Sequence, residues 1–199
     1  MQFQPGDIFH VYNRGNNKQL IFFSENNYEF FLKKVQHFIC PISDILAYCL
    51  MPNHFHFLIQ ANVTSCKEKR VGSLTVSELT NGLRLLQSTY ASAINKNKGY
   101  TGSLFQQKAK FKLLSTSSNQ KHDHLHTCLH YIHQNPLKAG LVSKMEWWKY
   151  SSFHEYLSEE NEKLICNKDV IEKVIDIPPH LFYDVSNSVL DNKLLYEIF

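Results

Sequence analysis

The sequence predicts an α+β protein of the ferredoxin-like kind, a four-stranded antiparallel sheet backed by two helices. Three observations predict it. Segments of period-two alternation and segments of helical period follow one another as strand, helix, strand, strand, helix, strand, which is the split βαβ arrangement. The apolar stripes of both helical segments are one-sided, so each has a single face to bury. A chain of 199 residues, 43% apolar and 13% aromatic, can enclose one sizeable core.

Taken in order, "DIFHVYNRG" alternates and ends in a turn, placing the first strand at residues 7–13. "SENNYEFFLKKVQHFI" carries Tyr28, Phe31, Leu32, Val35, Phe38 and Ile39 at helical spacing, with Ser24 as N-cap and Pro41 as the stop. "SDILAYCL" and "HFHFLIQ", joined by "PNH", form a hairpin. Residues 61–73 read as a polar loop. The second helix follows, with Thr75 and Glu78 as a capping box, Val76, Leu79, Leu83, Leu86, Tyr90 and Ile94 as its stripe, and Gly99 as its end. "AKFKLLS" is the fourth strand, with Ala109, Phe111 and Leu113 opposed to Lys110, Lys112 and Leu114. A third helix is expected at about 119–134, ending near "QNP" because a residue before proline avoids the α region. The segment from about 155 is acidic and helical in part.

Composition narrows the function classes. No run reaches the roughly 18 apolar residues of a membrane span, and "MQFQPGDIFH" lacks the basic and apolar blocks of a signal peptide. The five cysteines are scattered, with no C-x-x-C, so neither a disulfide framework nor a zinc ribbon is indicated and a reduced, cytoplasmic chain is expected. Net charge is +3, unevenly spread. Residues 67–112 hold nine basic and two acidic side chains, whereas residues 155–199 hold four basic and ten acidic. A basic body suits a polyanionic partner.

On the third strand Phe55, Phe57 and Ile59 share one face, so His54 and His56 share the other. The two helices of the βαββαβ unit lie on the Phe55 side, leaving the histidine face free for a site. Two imidazoles aimed the same way can hold one metal ion; exposed strand histidines would give the same pattern. In "HTCLHYIHQNP", Tyr131 and Asn135 are four apart on one helical face. A tyrosine beside a divalent cation suits phosphoryl transfer, the phenolate attacking phosphorus while the metal polarises the phosphate. An amphipathic boundary tyrosine followed by an asparagine C-cap would also fit.

"AYCLMPNHFHFLIQ", "VYNRGNNKQLIFF", "YTGSLFQQKAKFKLL" and "LHYIHQNPLKAGLV" followed by "WWKYSSF" together resemble single-tyrosine HUH insertion-sequence transposases. The last two point to the REP-associated tyrosine transposase branch. The resemblance spans about residues 7–156, giving a domain at 1–156 and an acidic C-terminal extension at 157–199. It implies an enzyme that cuts single-stranded DNA near a hairpin with Mg²⁺ or Mn²⁺, leaving a 5′-phosphotyrosine and a free 3′-OH. By position, His54 and His56 match the metal-binding histidines, Tyr131 the nucleophile, and Asn135 the polar residue that completes the metal site. Related enzymes work as dimers that exchange the tyrosine helix, and some REP-associated members are monomers, so the oligomeric state stays open. Two departures stand out: Tyr150 occupies a position where tryptophan is expected, and His122, His126, His130 and His133 form a stripe of their own. An exposed polar face, a face that meets phosphates when protonated, or a second metal site would each account for that stripe.

Candidate DNA contacts are Asn13, Arg14 and Lys18 after the first strand, Lys108, Lys110 and Lys112 around the fourth, and Arg84 with Gln87 on the second helix. Arg14 is favoured because Gly15 lets backbone and guanidinium approach a phosphate together. Tyr100 could stack bases, whereas Phe105 is expected in the core. The acidic extension could occupy the DNA groove or simply pack on the domain. A hairpin-binding protein that does not cut is the competing function, and a metal phosphodiesterase using water is a third.

Overall fold

Alternation builds the sheet, and the sheet separates two chemistries. The computed structural model describes residues 3–116, 122–157, 164–175, 177, 181–188, 190 and 192–198. Its main sheet contains β1 (Ile8–Arg14), β2 (Ser43–Met51), β3 (His54–Ala61) and β6 (Lys110–Ser115), in the order β2-β3-β1-β6 with every pair antiparallel. The helices α1 (Glu25–Phe38) and α3 (Glu78–Lys98) lie on one face. The ferredoxin-like expectation holds.

On that face Phe9, Val11, Phe55, Phe57 and Ile59 pack with Phe31 and Val35 of α1 and Leu79, Leu83, Leu86 and Tyr90 of α3. Gly82 permits the approach of the two helices: a Cβ there would lie 2.8 Å from the Phe38 carbonyl oxygen and 2.6 Å from Ile42 Cδ1. Phe105 belongs to this core, as expected.

The predicted polar loop at 61–73 is instead structured. It holds a short helix, α2 (Val63–Cys66), capped by Asn62, then a ribbon of β4 (Glu68–Val71) and β5 (Leu74–Ser77). Thr75 therefore sits in a strand, and the N-cap of α3 is Ser77, whose hydroxyl accepts from the Thr80 amide. The capping-box assignment to Thr75 and Glu78 is corrected on this point. "TVSE" offers two hydroxyl caps, and pairing of Arg70 with Thr75 removes the first from helical geometry.

The opposite face is covered by described segments that follow β6. Helix α4 (His122–Lys138) crosses it, followed by α5 (Phe153–Leu157), α6 (Lys168–Val174), α7 (Phe182–Ser186) and α8 (Asn192–Ile198). Leu46, Cys49, Met51 and Leu58 of the sheet pack with Leu125, Leu129 and Ile132 of α4 and with Phe153, Ile171 and Phe182. The expected start of this helix at 119 lies outside the described residues. Its end differs from expectation: Pro136 lies within the helix, which runs one turn further before Gly140 (φ +67°) closes it. Buried Pro136 and the bond from Asn135 Nδ2 to the Tyr131 carbonyl (2.9 Å) hold the turn against the usual preference before proline. Trp148 donates to the Leu50 carbonyl and Tyr150 stacks on Tyr28 with ring centres 3.9 Å apart, so the "WWKYSS" exit fastens along β2.

Candidate active site

Three elements converge where α4 crosses the sheet. From β3 come His54 and His56; from β1 come His10, Tyr12 and Arg14, which share the parity of His10 and pair across with Leu58, His56 and His54. From α4 come Tyr131 and Asn135. The Tyr131 ring meets the His56 ring edge-on with centres 5.8 Å apart. His10 and Tyr12 were not singled out by the sequence reading, although "FHVYNR" places them on the histidine face by alternation alone.

Hydrogen bonding fixes which nitrogen each histidine can offer. His10 Nε2 and His56 Nδ1 lie 2.8 Å apart in a fully buried contact. That leaves His56 Nε2 buried without a partner. His54 Nδ1 lies 2.6 Å from Asn53 Oδ1, so its Nε2 is likewise the nitrogen left for a ligand. A side-chain partner on Nδ1 and an open Nε2 is the arrangement that orients imidazoles toward metals.

Protonation follows from burial. Desolvation, reinforced by His10 and His54, holds His56 well below the usual histidine range. Burial and the neighbouring Arg14 lower His54 to about 4, and burial lowers His10 to about 3. All three are neutral near pH 7, the state that can donate a lone pair. Tyr131 is pushed the other way. Burial, then the nearby Cys128, raises its phenol above the ordinary value, and the Asn135 amide works against that rise. The phenol therefore keeps its proton near neutrality and needs a cation beside it to become a nucleophile.

The donor set fits a hard divalent ion in part. His54 and His56 supply two neutral imidazoles, and Asn135, whose Nδ2 is committed to the Tyr131 carbonyl, retains its Oδ1. Among the described residues no cluster of three His, Cys, Asp or Glu side chains could hold a metal. Two imidazoles and one amide oxygen leave the remaining positions to water or to phosphate oxygens, which suits an ion that works on a phosphodiester.

The other expected residues divide by location. Arg14 stands opposite His54, with its Nε buried and unpartnered. Lys110 and Lys112 pair with Tyr12 and His10, so they line the site face along the edge strand. Lys110 Nζ sits 5.7 Å from the Tyr12 ring centre. Lys18 is exposed in a left-handed turn (φ 60°) after β1, and Lys108 is exposed before β6. Gly15 is required by that turn, since a Cβ there would meet the Gln19 carbonyl oxygen at 2.1 Å. Asn13 and Arg84 are not brought to the site. Asn13 points to the helical side, donating to Gln87 Oε1 (2.5 Å) and the Gln106 carbonyl (3.1 Å), and Arg84 holds Asn81 Oδ1 at 2.9 Å on α3. Tyr100 is exposed.

The histidine stripe is exposed at His122 and half-buried at His126, and among the described residues it forms no metal cluster. His130 and His133 are fully buried. His122 Nδ1 meets the Val174 carbonyl (2.9 Å), His130 Nδ1 the Ser186 hydroxyl (2.9 Å) and His133 Nε2 the Ser152 hydroxyl (2.8 Å). Gln134 donates to the carbonyls of Ser186 and Ser188. The stripe docks α6, α7 and the segment leading into α5 onto the back of the tyrosine helix. Lys138 completes the surroundings: its Nζ lies 5.5 Å from the Tyr131 ring centre.

No family model matches the chain, and no curated protein does. Among solved structures, the fold is similar to that of a REP-associated tyrosine transposase bound to a REP hairpin. That match has a TM-score of 0.58 and 17% identity over 80% of this chain and 83% of the other. The two share a fold. Among the described residues no helix is long and apolar enough to cross a membrane.

Proposed function

We propose that the chain is a metal-dependent endonuclease and strand-transferase that acts on single-stranded DNA beside a hairpin. One observation carries the reading: the Tyr131 phenol ring lies edge-on to His56, whose buried Nε2 has no partner, with Asn135 one turn further along the same helix. The shared fold with a hairpin-bound transposase and the motifs that resemble that family support it.

His54 and His56 through Nε2, and Asn135 through Oδ1, would hold Mg²⁺ or Mn²⁺. The ion, when bound, would polarise the scissile phosphate and offset the charge that develops on it. Tyr131 Oη attacks the phosphorus and loses its proton to water. The bond from phosphorus to the 3′-oxygen breaks, and that oxygen takes a proton to leave as a 3′-OH. The product is a 5′-phosphotyrosine on Tyr131, and attack by a 3′-OH on this ester reverses the step on the same or another strand. Asn135 fixes the turn that carries Tyr131. Arg14 reaches the phosphate next to His54, and Lys18, Lys108 and Lys112 follow the backbone.

The test is incubation with a hairpin-rich pool of single-stranded oligonucleotides and Mn²⁺, followed by denaturing gel and mass spectrometry. A DNA-linked peptide containing Tyr131, absent in Tyr131→Phe and in His54→Ala, is the expected result. Binding without an adduct would replace this reading with a hairpin-binding protein, and cleavage that survives Tyr131→Phe would replace it with a water-using phosphodiesterase.

A further inference from the structure

Resting on the reading above, we propose that Lys138 holds the phosphate next to the scissile one on the single-stranded arm, pairing with Lys110 to bracket the Tyr131 site. The two lysines reach the site from different elements. Lys110 projects from the edge strand and lies over Tyr12, with Nζ 5.7 Å from the ring centre; Lys138 projects from the end of α4 and lies over Tyr131, at 5.5 Å. Tyr12 and Tyr131 both lie against His56, with ring centres 5.9 and 5.8 Å away. A strand whose phosphorus reaches Tyr131 Oη therefore comes near both ammonium groups.

Three features separate Lys138 from an ordinary surface lysine. It is seven residues after Tyr131, two helical turns, and so shares the face that carries the nucleophile. Among the described residues no carboxylate forms an ion pair with it. Although Lys138 is exposed, partial burial at its place over the ring lowers its proton affinity. A cation with no ion-paired carboxylate among the described residues is ready to accept an anion from a ligand. The phosphodiester backbone is the anion that the neighbouring nucleophile calls for. Consecutive phosphates on single-stranded DNA are close enough for one to sit at Tyr131 while its neighbours meet the flanking lysines.

The experiment separates this role from the chemistry by measuring binding without metal. A hairpin bearing a single-stranded arm, taken from the pool that the wild-type chain retains, is titrated in EDTA at several salt concentrations. Lys138→Ala is expected to weaken binding about fivefold to tenfold and to lower the salt slope by about 1, because one fewer counterion is released. Lys138→Arg should keep the slope, and Lys33→Ala, on the exposed side of α1, should behave as wild type. Trimming the arm from the hairpin should abolish the difference between wild type and Lys138→Ala. Unchanged affinity and slope in a folded Lys138→Ala that still forms the Tyr131 adduct would overturn the role of Lys138 and leave the proposed function standing. A wild-type chain that retains no hairpin at all would overturn both. Lys138→Gln, which preserves the stem over the ring, must follow Lys138→Ala; if it follows wild type, the lysine acts through packing and the inference falls.

Discussion

His10 decides what His56 can do. With His56 Nδ1 engaged by His10 at 2.8 Å, only Nε2 is left for a ligand, and neither ring is solvated enough to turn over freely. His10→Ala should therefore act twice. Manganese affinity measured by calorimetry should fall about 10-fold to 100-fold, as for the loss of a residue that orients a metal-binding imidazole. Thermal unfolding without metal should show a loss of about 1–3 kcal/mol, because a buried nitrogen is left without its partner. A variant that loses stability yet binds manganese as before would remove His10 from the site. The facing of His10 was legible in the alternation of β1, but its partner was not, since the register that sets it diagonally across from His56 joins segments 46 residues apart. Gly82 is a similar case. Nothing local marks it, yet Gly82→Ala should cost about 1–3 kcal/mol in urea unfolding, because the new methyl group meets the Phe38 carbonyl, which cannot move without disturbing the end of α1.

At the scale of elements, α4 has two working faces. Tyr131, Asn135 and Lys138 look to the site, while His122, His130 and Gln134 look to the extension and His133 to the segment leading into α5. The helical stripe of histidines was visible in the sequence, but a polar stripe reads as solvent-facing unless its partners are known, and those of His122, His130 and Gln134 lie some 50 residues on. Burial makes this docking pH-sensitive. His130 is lowered to about 3 by burial and by the neighbouring His126, against an ordinary value of 6.5. The unfolded chain therefore binds the proton more tightly, so the stability present above pH 6.5 is lost progressively as pH falls toward 3. At pH 5 the loss from His130 alone should be about 2 kcal/mol. Urea unfolding at pH 7 and pH 5 checks this: His130→Gln should show a smaller loss of midpoint between the two than wild type. An equal loss in both would assign the acid sensitivity elsewhere.

For the whole molecule, the charge asymmetry in the sequence suggested two places for the acidic extension, the DNA groove or the body of the domain. The described part of it packs on the body. Ile171, Val174 and Phe182 are each at most 5% exposed and join the core formed by Leu125, Leu129 and Phe153, while Glu155 accepts the amides of Ile165 and Cys166. The sequence pattern supplied the sheet because two-residue alternation reports burial directly. It could not supply this second layer, because short helices with few apolar residues carry almost no periodic signal. The magnitudes predict what removal would do. Three buried apolar side chains contribute about 1.5–3 kcal/mol each, so their sum is comparable with the whole stability of a typical domain, about 5–15 kcal/mol. A chain ending at residue 157 should therefore lose cooperative urea unfolding and expose the face that α6 and α7 cover, seen as binding of a hydrophobic dye. The same loss would free the back of α4 and loosen the placement of Tyr131 against His56, so adduct yield should drop even where hairpin binding persists. If instead the shortened chain unfolds cooperatively and binds hairpins more tightly at low salt, the extension acts chiefly through its charge.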